Sequence, residues 1–240
     1  MILIKNGRLI DPFSNRDEIL DISIAKDKIE KIGKIAPMSK YETVIDAKGK
    51  IVTLGLVGVI VLDDHKNTMQ LNKCISKLSE YGFTEIIVNK KIYKDIANEN
   101  INIHTTSKIY NMREKEISTL LENTKEKYEY LKQLRKNEIN LSLHKSTNFE
   151  EMKNILPICI TKIVRNGHLS LTKMLEKITS EPMNKFDIGQ YQLKEGSYAN
   201  LVIFDASKSY FTNKNEILYG EISYTLNKGK IIYEKAKKNV

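Results

Sequence analysis

Hydrophobic positions alternate with polar ones at both ends of the chain and shift to helical spacing in the middle. At the start, Ile2-Leu3-Ile4 leads to the turn pair Asn6-Gly7, Leu9-Ile10 leads to Asp11-Pro12, and Asp21-Ile22-Ser23-Ile24-Ala25 alternates before Lys26-Asp27-Lys28. Ile29, Ile32 and Ile35 follow, and Thr43-Val44-Ile45-Asp46 closes the set at Lys48-Gly49. A period of two places alternate side chains on one face, so these segments read as short strands of a small sheet. The same pattern returns in 200–205, 222–226 and 231–233, where Asn227-Lys228-Gly229-Lys230 joins the last two strands as a hairpin. Two β regions bracketing a middle predict one small β-sandwich-like domain built from both termini, residues 1–52 and 190–240.

Residues 53–189 read as an α/β portion. Leu56 to Leu62 is a continuous apolar run, the pattern of a strand covered on both faces. Met69, Leu71, Cys74, Ile75, Leu78 and Tyr81 recur at helical spacing and stop at Gly82. Thr84 to Val88 is a second buried strand, Ile92 to Ala97 a short helix, and Ile101 to Ile109 a third, more polar strand. A long helix is expected over 114–136, a fourth strand over 139–143, and a helix over 149–165 that Pro157 kinks or breaks. A last helix spans 169–179, capped by Ser170 or Thr172. Alternating β and α elements argue for a parallel sheet with right-handed crossovers.

Composition narrows the function classes. The 240 residues are 41% hydrophobic and 29% charged, which excludes collagen-like, low-complexity and fully disordered chains. The net charge is +9, but lysines are spread along the chain, the densest run is Lys235, Lys237 and Lys238, and there is no Trp for base stacking. No nucleic-acid partner is expected. Cys74 and Cys159 lie far apart with no CxxC, so a disulfide framework is not indicated and a cytoplasmic location fits. The N-terminus reads as a strand and turn instead of a signal peptide. The longest apolar stretch, 54–62, is well short of the ~20 residues of a membrane helix, so no membrane partner is expected.

Residues 44–57, Val-Ile-Asp-Ala-Lys-Gly-Lys-Ile-Val-Thr-Leu-Gly-Leu-Val, resemble the approach to the barrel in amidohydrolases, specifically dihydroorotases, whose pattern runs V-I-D-A-x-G-x-x-V-x-P-G-[LF]-V-D-x-H-x-H-x-R. Residues 167–173, 179–182, 193–205 and 227–234 are similar to that family's closing helix and β-domain return. The resemblance covers about residues 1–90 and 165–235. It implies a TIM-barrel-like β/α portion, but 53–189 is far shorter than the ~250 residues of a complete barrel, so an incomplete barrel is expected.

In active members two histidines after the first barrel strand bind zinc. Aligned without gaps, those positions hold Ile60 and Leu62, which have no lone pair to offer a metal. The family aspartate before them falls on Gly58, the substrate-carboxylate arginine on Asp64, and a substrate-binding asparagine on Lys91. The resemblance therefore implies a degenerate member, with no catalytic, cofactor or metal residue assigned and no cofactor expected. Among the remaining chemistry-bearing residues, His65, His104 and His144 lie at or near expected strands and are weak candidates for a rebuilt metal site. No HxH, HxxxH or HExxH spacing joins them. His168 reads as a surface loop residue, and the two cysteines as buried structural thiols.

Two functional readings follow. One is a non-catalytic scaffold or partner subunit, self-associated or bound to a protein such as aspartate transcarbamoylase, with which some dihydroorotases associate, and so acting in pyrimidine biosynthesis. The other is an active, zinc-dependent cyclic amide hydrolase with relocated ligands; beside these two stands a drifting remnant without a present role.

Overall fold

The computed structural model describes residues 1–36, 39–61, 68–89, 100–108, 120, 125–136, 141, 143–145, 149–189, 192–212 and 215–236. The first alternating segment forms one ten-residue strand, β1 (Ile2–Asp11), not two short ones parted by a turn. Asn6 has a left-handed φ of 59° and the pairing slips between Ile4 and Gly7, so Asn-Gly makes a bulge inside a continuous strand. β2 (Arg16–Ala25) and β3 (Lys28–Gly33) continue antiparallel, while the short β4 (Thr43–Asp46) and β5 (Ile51–Leu54) both run parallel to β1.

After Gly55 the chain enters β6 (Leu56–Val61), then α1 (Thr68–Lys77), the 3-10 turn Leu78–Tyr81, β7 (Phe83–Asn89) and β8 (Asn102–Thr106). Gly55 is tightly packed: a Cβ there would stand 2.2 Å from Thr84 Oγ1. The expected helix over 92–97 lies outside the described residues. Within the expected long helix, α2 (Lys125–Arg135) is described. β9 (Leu143–Lys145) begins where the fourth strand was expected to end. β6, β7, β8 and β9 form a parallel sheet in the order β8-β7-β6-β9.

α3 (Phe149–Ile158) contains Pro157 and passes straight into a π-helical segment, Cys159–Val164. Pro157 lacks the N–H that would close its own helical bond, and the backbone answers with wider turns in place of a break. α4 (Leu171–Ile178) is capped by Ser170, whose hydroxyl accepts from the Lys173 N–H at 3.2 Å. A second short helix, α5 (Ser180–Lys185), follows directly.

β10 (Leu201–Phe211), β11 (Ile217–Asn227) and β12 (Lys230–Glu234) join the N-terminal strands through the antiparallel pair β10–β5. The result is one eight-stranded mixed sheet, order β12-β11-β10-β5-β1-β2-β3 with β4 beside β1. It curls on itself. Gly196 N and Ser197 O bond the backbone of Ile29, Ala199 N bonds Asp27 O, and a Cβ on Gly229 would stand 2.0 Å from Lys26 O. Turns at opposite ends of the strand order therefore meet. The β11–β12 turn has positive φ at both Lys228 and Gly229, the type I′ geometry that matches strand twist.

Two apolar clusters hold these layers together. One joins Leu56, Ile60, Ile86 and Val88 to Leu131, Leu134, Met152, Ile155 and Met174 from the helices. The other joins Val57, Val59 and Ile87 to Met183 and Phe186 of the α5 region and to Ile22, Val52 and Leu201 of the mixed sheet. Both faces of β6 and β7 are thus buried, as the unbroken apolar run of β6 requires.

Candidate functional site

The positions where the resemblance places metal ligands lie on β6. Strand alternation puts Leu56, Gly58 and Ile60 on one face and Val57 and Val59 on the other. Ile60 is fully buried and belongs to the cluster that includes Met152, Ile155 and Val88. Gly58 lies beneath α3: a Cβ there would meet Met152 Cε at 2.5 Å and Phe83 Cε1 at 3.4 Å. This stretch of the face is therefore packed with apolar side chains that offer none of the imidazole or carboxylate donors a catalytic zinc takes. Leu62, Asp64, His65 and Lys91 lie outside the described residues.

The backbones of His104 and His144 are not on neighbouring strands. His104 on β8 pairs in register with Ile87, and His144 on β9 pairs with Ile60. β8 and β9 are the opposite edges of the described parallel sheet, three inter-strand spacings or roughly 14 Å apart. Among the described residues no group of three or more His, Cys, Asp or Glu is arranged to hold a metal ion.

His104 belongs instead to a buried polar node centred on Glu85, which the sequence pattern did not single out. Glu85 sits in β7 with its side chain 2% exposed. His104 Nε2 donates to Glu85 Oε2 at 2.6 Å, while Oε1 accepts from Asn102 Nδ2 at 2.8 Å and from Asn200 Nδ2 at 2.7 Å. Asn102 Nδ2 also reaches Asn227 Oδ1 at 2.9 Å, and Asn227 Nδ2 donates to Asn100 O at 2.8 Å. The Lys228 N–H donates to Asn200 Oδ1 at 2.8 Å.

These bonds tie the parallel sheet to β10 and to the β11–β12 turn. They also fix the imidazole: Nε2 carries the proton facing the carboxylate, and in the neutral ring Nδ1 is the basic nitrogen. Such a pair can hold a proton and orient an imidazole, which is the polar chemistry this part of the fold offers. The one signal in the sequence was a charged glutamate inside the largely apolar strand run 83–88, where a buried carboxylate demands partners.

His168 is not a free surface residue. It is partly buried between the end of α4's cap and α2, and its Nδ1 accepts from Arg135 Nη2 at 2.7 Å. Burial, Arg135 and Lys127 hold its pKa below the ordinary histidine value. Of the two thiols, Cys159 is buried and its pKa is pushed well up by desolvation, which makes it a poor nucleophile. Cys74 is only half-buried, contrary to the expectation of a core thiol.

No family model matches the chain. Over 61 residues, 25% of this chain, it is 57% identical to the dihydroorotase of Clostridioides difficile, a match covering 14% of that relative. Over 92 residues it is 42% identical to the dihydroorotase of Lactococcus lactis, covering 36% of this chain and 21% of the relative. The matched segments thus span about a fifth or less of the relatives' length.

Among solved structures, the L-hydantoinase (dihydropyrimidinase) of Arthrobacter aurescens superposes with a TM-score of 0.70 at 13% identity, over 100% of this chain and 97% of that one. The dihydropyrimidinase of Brevibacillus agri gives 0.67 at 10% identity, over 95% and 94%. Likeness at such low identity concerns the fold. Dihydroorotase-like sequence in the matched segments and a fold shared with hydantoinases together support placing the chain among the amidohydrolases.

Proposed function

We propose that this chain is a non-catalytic dihydroorotase-like protein that acts as a scaffold or partner subunit, built on an incomplete, barrel-derived β/α portion and a terminal β domain. The single observation that carries this reading is the filling of the β6 face. Ile60 stands where the family's first zinc histidine aligns, and the neighbouring Gly58 lies under Met152. Amidohydrolase chemistry needs a metal-bound hydroxide, because metal binding brings the pKa of water from near 16 to about 7. A face lined by Ile, Met and Phe supplies none of the donors for that.

The partner is a second copy of the chain or a protein of pyrimidine biosynthesis such as aspartate transcarbamoylase. A cytoplasmic location accords with the half-buried free thiol of Cys74. Among the described residues no helix is long and apolar enough to cross a membrane.

Two measurements on the same preparation test the reading: elemental analysis of protein purified without chelator, and hydrolysis of dihydroorotate. The expected outcome is no stoichiometric zinc and no turnover. Bound zinc with turnover overturns it in favour of a hydrolase with relocated ligands. Light scattering should report about twice 27.7 kDa for the isolated protein, or a stable complex when aspartate transcarbamoylase from the same cell is added.

A further inference from the structure

A second feature lies away from both β6 and the Glu85 node. Tyr128, Leu131, Lys132 and Arg135 recur on α2 at i, i+3, i+4 and i+7, and so share one helix face. Together with Lys136 and His168 they line a cleft of about 350 Å³, near the lower end of small-ligand pockets. Leu131 is buried, whereas Tyr128 is 67% exposed, so the cleft has an apolar floor and an accessible aromatic wall.

Its polar lining is almost entirely donor. Lys132, Arg135 and Lys136 are cationic, and none of the six lining residues is acidic. Arg135 donates one N–H to His168 Nδ1, a neutral partner that brings no counter-charge of its own. Because arginine only donates, the neutral imidazole must carry its proton on Nε2, a further donor. Lys132 also forms an exposed ion pair with Glu129 Oε2 at 4.0 Å, with which a bound anion would compete, while Glu129 Oε1 accepts from Gln133 Nε2 at 2.9 Å. Cations at the end of α2 also complement its dipole, but that role requires neither the cleft nor the arginine–imidazole bond.

We propose that this cleft binds a small phosphate ester, with the phosphate held by Arg135, Lys132 and Lys136 and the organic body resting on Tyr128 and Leu131. Three cations suit a dianion better than a single carboxylate, and the planar guanidinium fork matches phosphate oxygens. The inference is independent of whether the chain is catalytic.

Isothermal titration calorimetry of the full chain with phenyl phosphate tests it, with inorganic phosphate and benzoate as comparison arms. Phenyl phosphate is expected to bind at one site per chain and more tightly than either comparison ligand. Arg135→Gln should weaken it about tenfold or more, a loss of about 1.4 kcal/mol. Tyr128→Ala should lower phenyl phosphate to the level of inorganic phosphate. Lys208→Gln, at an exposed lysine outside the cleft, should change nothing. Arg135 and Lys132 are exposed, so their removal should leave the circular dichroism spectrum intact; if Arg135→Gln fails to fold, the Lys132→Gln/Lys136→Gln pair decides. Absence of saturable binding, equal affinity for benzoate, or equal losses in Arg135→Gln and Lys208→Gln would overturn the proposal.

Discussion

Met152 on α3 covers Gly58 on β6 so closely that a Cβ on the glycine would stand 2.5 Å from the methionine Cε. The position where dihydroorotases carry an aspartate is thus occupied by a neighbour's side chain. Gly58→Ala should be tolerated within about 1 kcal/mol, because the end of a methionine can shift. Gly58→Asp should cost about 3 kcal/mol or more, since it buries a carboxylate with no partner. Urea denaturation of the two variants measures the difference, and equal stabilities would mean that the site is polar or hydrated after all.

Replacing Ile60 and Leu62 together by histidine should not produce dihydroorotate hydrolysis. Two imidazoles fall short of the three protein ligands of a catalytic zinc site, and Ile60 is surrounded by the buried cluster of Met152, Ile155 and Val88. Turnover by the double variant, assayed with added zinc, would show that the remaining ligands are present.

Glu85 should be among the most costly polar residues to remove. Glu85→Ala strips the acceptor from Asn102, Asn200 and His104 at once, and should destabilise by about 2–3 kcal/mol because buried donors are left unpaired. Glu85→Gln keeps one acceptor oxygen and should cost less. A double-mutant cycle with Asn200→Ala should give a coupling of about 0.5 kcal/mol or more, as expected of groups in one network. Additive losses would mean that Glu85 does not hold the two sheets together.

His168 imposes a pH dependence with a definite sign. Its pKa in the folded protein lies below the ordinary value through burial, Arg135 and Lys127. Between that value and about 6.5 the unfolded chain binds the proton more readily, so stability falls as pH is lowered through this window. His168→Gln should flatten this part of the profile in thermal melts from pH 7 to 5. An unchanged slope would assign it to other groups.

Gly229→Ala should be destabilising out of proportion to one methyl group. Its φ is +71°, and a Cβ would stand 2.0 Å from Lys26 O, a backbone atom of the opposing turn that cannot rotate away. A loss of about 2 kcal/mol or more is expected from left-handed strain plus the clash. A Tm close to that of the parent would show that the two turns separate easily.

Much of the element content was legible from local pattern. β6 announces itself as an unbroken apolar run because both of its faces are buried, and the I′ hairpin at 227–230 because its turn needs residues that accept positive φ. The Asn6-Gly7 pair misled, since the same dipeptide that turns a hairpin also makes a bulge, and only pairing with β2 and close contact with Val52 select the bulge. Pro157 marked an irregularity but not its form, because whether a helix breaks or widens depends on the packing around it.

Site chemistry divides the same way. The absence of any HxH spacing is a property of the chain alone. That Met152 fills the space over Gly58, that His104 meets Glu85 on a strand at the opposite edge of the described sheet from β9, and that Arg135 finds His168 were decided by tertiary structure. Each of these contacts joins residues from separate elements, and local periodicity carries no information about which elements meet.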